Sequence, residues 1–269
     1  MNPVDCFLSV PIFDRLADPR LLTDLAVEAE AAGWDGFYVW DHIQYRAPVE
    51  EVTDPWTAMA AIAHATGSIR FGPMVTPLPR RRPQVLARQM VALDRLSGGR
   101  FVLGAGLGLD QSGRELSAFG EQTDDRTRGR MLDESLELLG RFLSGERFTH
   151  VGEFYRAEDV CFRPTPVNGH VPIWLAARYP YQRPLRRAAR HDGVVAIDLQ
   201  HPDQLAETVE NLERYGAGPD FTVAKYGAPG DDPDPWVAAG CNYWGVFFDP
   251  FTTTPEQVRA VIADGPPLS

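Results

Sequence analysis

Short apolar runs alternate along the chain with stretches that repeat every three to four residues. Phe7–Val10 reads as a strand. Pro19–Ala32 follows as a helix, with Asp18 as its N-cap and Gly33 as its stop. Within that helix, Leu22, Leu25, Ala26 and Ala29 recur at helical spacing. The same alternation predicts strands over Gly36–Trp40, Ile69–Val75, Arg100–Ala105, Pro172–Ala176, Val194–Ile197, Phe221–Lys225 and Tyr243–Phe248. Helices are predicted from Asp54-Pro55 to about Ala65, then over Pro83–Leu96, Arg126–Leu143, Pro184–His191, Pro202–Tyr215 and Pro255–Ala263. A shorter turn is expected at Pro235–Ala239. One irregular excursion, His150–Asn168, precedes the fifth strand and reads as a small hairpin. Eight strand–helix units in 269 residues predict an α/β fold: one parallel (β/α)8 barrel domain over residues 1–269, with a short insertion before strand five. A doubly wound dinucleotide fold would want glycines in the first strand-to-helix turn. That turn is PIFDRLADP and has none.

Composition narrows the class. The net charge of -11 argues against general nucleic-acid or anionic-membrane binding. The three cysteines, Cys6, Cys161 and Cys241, are far apart with no CxxC spacing, so neither a disulfide framework nor a zinc site is expected. The N-terminus lacks a basic leader and a signal-length apolar core, and no apolar run approaches the length of a bilayer span. The expectation is a cytoplasmic protein.

In a barrel, chemistry sits at the carboxyl ends of the strands. After strand two come Asp41 and His42. Histidine titrates near neutrality and can give or take a proton, and Asp41 can orient that ring or bond a ligand. A capping aspartate beside a surface histidine is the plainer reading of the same pair. After strand three, Gly72, Pro73, Pro77 and Pro79 predict an interrupted strand. Arg80, Arg81 and Arg82 follow, and point either to a phosphate or carboxylate ligand or to a solvated cluster paired with surface acids. After strand four, Gly104, Gly106 and Gly108 let backbone approach a flat or phosphorylated ligand. After strand five, Ala176-Ala177-Arg178 leads toward a helix whose first amides can meet phosphate. Asp198, Lys225, Tyr226, Asp249 and Phe251, after the last three strands, read as structural. No HExxH, GxSxG, phosphate-loop or metal-ligand spacing occurs.

Four stretches together resemble the bacterial luciferase-like monooxygenase family of flavin- or deazaflavin-dependent oxidoreductases. They are AEAAGWDGFYVWDHI (29–43), DPWTAMAAIAHATGSIRFGPMVTPLPRRRP (54–83), LARQMVALDRLSGGRFVLGAGLG (86–108) and PIWLAARYPYQRPLRRAARHDGVV (172–195). The resemblance implies a cofactor ring in the barrel mouth, a catalytic role for His42 and Asp41, and cofactor contacts from Asp41, Met74, Val75, Thr76, Gly106, Gly108, Ala176, Ala177 and Arg178. It implies a non-prolyl cis bond at Met74-Val75, no metal, a small-molecule substrate and a homodimer. Phe13, Trp40, Tyr45 and Trp174 are candidate pocket walls.

Two departures stand out. Ala176 and Ala177 replace glycines common in the family. Leu109 and Arg46 stand where its sugar-phosphate dehydrogenases carry a catalytic glutamate and a tryptophan, so that activity does not carry over. The Asp-His pair favours coenzyme F420, whose anionic tail Arg80–Arg82 are placed to meet, and implies hydride transfer with an organic substrate. The alternatives are an FMN-dependent monooxygenase and a cofactor-free barrel acting as a binding or accessory protein.

Overall fold

The strand–helix alternation is realised as a closed parallel barrel. The computed structural model describes residues 4–268. The strands are β1 (Asp5–Val10), β2 (Gly36–Val39), β3 (Arg70–Pro73), β4 (Thr76–Pro77), β5 (Leu103–Gly106), β6 (Arg147–Val151), β7 (Arg156–Cys161), β8 (Ile173–Arg178), β9 (Gly193–Ile197), β10 (Thr222–Gly227) and β11 (Tyr243–Phe247). The helices are α1 (Pro19–Ala31), α2 (Pro55–Ala65), α3 (Pro83–Ser97), α4 (Asp125–Leu143), α5 (Gln182–Ala188), α6 (Pro202–Arg214), α7 (Asp234–Ala238) and α8 (Pro255–Asp264). The main sheet runs β3-β2-β1-β11-β10-β9-β8-β5-β4, and β6 pairs with β7 as a separate antiparallel hairpin. That hairpin is the excursion expected before strand five, beginning three residues earlier, at Arg147.

The third barrel strand is split, and the split is what closes the ring. Its first half, β3, pairs with β2, and its second half, β4, pairs with β5. Met74 and Val75 lie between, joined by a cis peptide bond. The Val102 amide donates to Phe71 O at 2.9 Å, and Phe71 N donates to Arg100 O, so β3 also reaches the segment leading into β5. Two glycines permit this approach. A Cβ on Gly72 would lie 1.9 Å from Val102 O, and one on Gly104 would lie 2.2 Å from Pro73 O.

Local signals place the helices around the ring. Asp18, Asp54 and Asp124 each cap a helix, accepting from Arg20 N, Thr57 N and Thr127 N at 2.7–2.8 Å. In α1 the buried positions are Leu22, Leu25, Ala26 and Ala29, the stripe the sequence marks. The barrel interior is a separate apolar cluster that includes Phe7, Tyr38, Val102, Trp174, Val195 and Tyr243. Among the described residues, no helix is long and apolar enough to cross a membrane.

One joint is held by a single carboxylate. Glu30 on α1 accepts from the amides of Gly67, Ser68 and Ile69 at 2.6–3.0 Å, ordering the turn into β3. Desolvation opposes its charge, but these amides and the Ser68 hydroxyl outweigh it and bring the carboxyl down to about 2 from an ordinary 4.5. The stabilisation is therefore complete above pH 4.5 and fades as pH falls toward 2. Glu30→Gln is expected to lower the melting temperature by roughly 2–8 °C at neutral pH, for hydrogen bonds worth about 1–2 kcal/mol. Melting curves taken from pH 7 down to pH 2 should converge with wild type; a gap that persists in acid would refute the assignment.

Candidate active site

Strand two ends in Trp40, Asp41 and His42 because β2 is apolar through Val39 and the chain then emerges at the carboxyl edge of the barrel. The side chains of Asp41 and His42 part there. Asp41 is 2% exposed. Its Oδ1 accepts from Arg80 Nη2 at 2.6 Å, and its Oδ2 accepts from Arg81 Nη2 at 2.5 Å, Arg81 Nε at 3.1 Å and Trp56 Nε1 at 3.1 Å. The Thr76 hydroxyl donates to the same oxygen. Asp41 is thus the anchor of a buried charge network.

His42 turns the other way, into the mouth. Its Nδ1 lies 2.8 Å from Glu115 Oε2. Glu115 comes from the loop between β5 and α4 and is 3% exposed. Its Oε1 accepts from Ile43 N at 2.7 Å, Gln44 N at 3.3 Å and Arg80 Nη1 at 2.9 Å. Burial opposes the Glu115 charge, but the His42 hydrogen bond and charge, the Arg80 guanidinium and the Ile43 amide together hold the carboxyl below its ordinary range. An ionised Glu115 can only accept, so Nδ1 carries the proton and Nε2 is the ring atom presented to a ligand. Asp110 fixes the approach of the loop by accepting from Leu116 N and Ser117 N, both at 2.9 Å.

Several sequence expectations are corrected here. The ring of His42 is oriented by Glu115 rather than by Asp41. Arg80 and Arg81 meet an anion, but it is internal: two buried carboxylates against two guanidiniums. Their side chains are 6% and 18% exposed, so they are neither a solvated cluster nor free for a ligand tail. Thr76 is fully buried and bonded to Asp41, behind the mouth wall. Trp174 faces inward but deep, against Tyr38 and Tyr243 near the amino-terminal ends of the strands. Ala177 is buried between sheet and helices, while Ala176 is half-buried on the mouth side. Arg178 pairs with Asp198 at 2.6 Å, and α5 spans only seven residues. Phe13, Trp40 and Tyr45 do cluster with His42, with ring centroids 4.9–5.8 Å from it.

Where β4, β5 and β8 adjoin, the wall carries only small side chains. A Cβ built on Gly106 would lie 2.9 Å from a Val75 methyl and 3.4 Å from the Ala176 Cβ. Gly108 packs on Pro77, and its carbonyl accepts from the buried Arg128 at 2.9 Å. The result is a shallow wall of Val75, Gly106 and Ala176 at the carboxyl edge of the barrel. Such a cradle fits a planar ring lying across the mouth.

The described residues thus form a parallel strand–helix barrel with a His42–Glu115 pair at the carboxyl edge of β2. The chain belongs to the luciferase-like monooxygenase family, whose profile matches residues 8–244. The family expected from the four sequence stretches is therefore borne out. The chain is similar to an F420-dependent glucose-6-phosphate dehydrogenase of Nakamurella multipartita, at 31% identity over 203 residues, 74% of this chain and 58% of the relative. It is also similar to an F420-dependent hydroxymycolic acid dehydrogenase of Mycobacterium tuberculosis, at 32% identity over 230 residues, 81% of this chain and 62% of the relative. The chain thus spans about three-fifths of the length of these curated relatives. The coenzyme F420 dependent tetrahydromethanopterin reductase of Methanopyrus kandleri shares the fold, with a TM-score of 0.78 at 15% identity over 98% of each chain.

Glu115→Gln tests the proton assignment. The variant loses the pair with Arg80 and no longer fixes the tautomer of His42. It is expected to lower kcat by roughly 10–100-fold, a partial loss of acid–base catalysis. Because the Glu115 carboxyl is depressed, its stabilisation is present above its ordinary value of 4.5 and lost as pH falls through the folded value. The stability gap between wild type and variant should be full at pH 7 and close in acid. A gap that widens in acid would contradict the ionised state.

Proposed function

We propose that the chain is an F420-dependent oxidoreductase that moves a hydride between the deazaflavin and an organic substrate. The observation that carries this reading is His42, held at Nδ1 by an ionised Glu115 at the same barrel edge as the shallow wall of Val75, Gly106 and Ala176. F420, when bound, supplies the hydride acceptor or donor. Val75, Gly106 and Ala176 would hold its flat ring, and Arg178 lies in the segment expected to meet its phosphate. His42 Nε2 takes the hydroxyl proton of a substrate being oxidised, or returns it in the reverse direction. Phe13 and Tyr45 stack at 4.5 Å and keep water from one side of that ring. The curated relatives described above are named for F420, which favours the deazaflavin over FMN. The test is calorimetry of the purified chain with F420 and with FMN. A micromolar or tighter F420 constant supports the proposal; exclusive FMN binding selects the monooxygenase alternative, and binding of neither selects the accessory barrel.

The same reading includes one barrel domain over residues 1–269 acting as a cytoplasmic homodimer on a small molecule, without nucleic acid. The acidic charge of -11 supports the last point. Sedimentation equilibrium checks the dimer, and a monomer at micromolar concentration would remove it.

A further inference from the structure

The mouth has two unlike halves. One is the shallow wall of Val75, Gly106 and Ala176. The other is a continuous aromatic face contributed by adjacent strands. Trp40, after β2, stacks on Phe247 at the end of β11, with centroids 5.0 Å apart and planes at 26°. Phe247 stacks in turn on Tyr226 of β10, at 5.2 Å and 13°. His42 adjoins Trp40 at one end of this face. The indole nitrogen of Trp40 points away from the opening and donates to the buried Ser9 hydroxyl at 3.2 Å, so it presents an apolar edge. Burial pushes the Tyr226 phenol up to about 12, so it is a neutral hydroxyl at any physiological pH.

Three arginines around the opening are already paired with carboxylates. Arg80 and Arg81 neutralise Asp41 and Glu115. Arg178 is held by Asp198 at 2.6 Å. Arg46 is exposed at the rim, with its guanidinium 5.1 Å over the Phe251 ring. Lys225 lies on the outer face of β10, 4.5 Å from the Trp236 ring centroid. A phosphate monoester carries close to two charges and needs fixed cations beside the reacting group. Arg80, Arg81 and Arg178 could meet it only by breaking an existing pair, which leaves Arg46 at the rim as the cation within reach.

We propose that the substrate is a secondary carbinol, or the matching ketone, with a flat apolar body such as an aryl or fused alicyclic group, and that sugar phosphates are poor substrates. The body lies along Trp40, Phe247 and Tyr226. The carbinol hydroxyl lies at His42 Nε2. In oxidation, the C–H bond of the carbinol breaks and its electron pair leaves as hydride to the deazaflavin; the O–H proton passes to His42 Nε2. The carbinol becomes a ketone, the deazaflavin is reduced by two electrons, and no further oxidant is needed. This inference rests on the F420 reading.

The experiment measures F420 reduction by 1-phenylethanol, propan-2-ol and glucose 6-phosphate in wild type and in Phe247→Ala, with F420 affinity followed by fluorescence quenching. The aryl carbinol is expected to exceed glucose 6-phosphate in kcat/KM by at least about 100-fold, a difference built from burial and aromatic contact. Phe247→Ala is expected to erase about tenfold of the aryl preference over propan-2-ol, the size of one stacking contact, chiefly through KM, with F420 affinity retained. Preference for glucose 6-phosphate overturns the proposal, as does equal loss on both alcohols in the variant. Tight F420 binding without turnover of any aryl carbinol or aryl ketone overturns the substrate class and leaves the cofactor reading intact. Failure to bind F420 overturns both.

Discussion

Replacing His42 by alanine is expected to lower kcat by about 10²–10⁴-fold, the usual contribution of a positioned acid–base group, with F420 affinity unchanged. The reasoning is geometric. The ring is one-fifth exposed, so it is available to a ligand, while its Nδ1 is tied to a carboxylate that is 4% exposed. Nothing in the Val75–Gly106–Ala176 wall depends on the imidazole, so cofactor docking should survive its loss. Steady-state kinetics together with fluorescence titration separate the two effects. An alanine variant with undiminished kcat would show that proton transfer uses another group, and a variant with weakened F420 binding and normal kcat would recast His42 as a cofactor contact.

The second large effect concerns Asp41 and stability. Asp41→Asn removes the charge that Arg80 and Arg81 both face; Arg80 keeps its pair with Glu115, while Arg81 loses the carboxylate it is bonded to. Breaking one side of a buried ion network costs about 3–5 kcal/mol, because the remaining charge stays desolvated without a partner. For a chain of this size that corresponds to a melting temperature lower by roughly 6–20 °C. Removing Arg81 as well, as Asp41→Asn with Arg81→Met, should cost less than the sum of the two single changes, since the orphaned cation goes with it. Strict additivity, or a midpoint shift too small to measure, would mean that the network is not a stabilising unit.

Much of the barrel was legible because its signals are local. Caps at Asp18, Asp54 and Asp124 mark where helices start, and short continuous apolar runs mark strands buried on both faces. The mouth was legible only in part, because facing and depth are separate questions. Alternation along β8 puts Ala176 inward and Ala177 outward, a distinction available from the sequence but hidden by reading the two alanines as one segment. Trp174 also faces inward, yet it pairs in register with Gly104 and Gly193, well below the opening. No local pattern records depth, which depends on the stagger between strands. Glu115 was missed because it lies 73 residues from His42 in an irregular loop, and its role appears only once the chain is closed. One clue existed. Arg80 and Arg81 follow a strand end in a region poor in neighbouring acids, so their counter-charges had to come from a distance. The alternative offered by the sequence, a ligand anion, used the same physics with the wrong partner.

The left-handed backbone of Arg114, with φ 58, places an exposed arginine directly before the buried Glu115. Trypsin engages several residues on each side of the bond it cuts, so cleavage after Arg114 requires Glu115 to leave its contacts with His42, Ile43, Gln44 and Arg80. The rate of that single nick therefore gauges how often the His42–Glu115 pair comes apart. Any ligand that shortens those excursions should make the chain harder to digest at this bond alone.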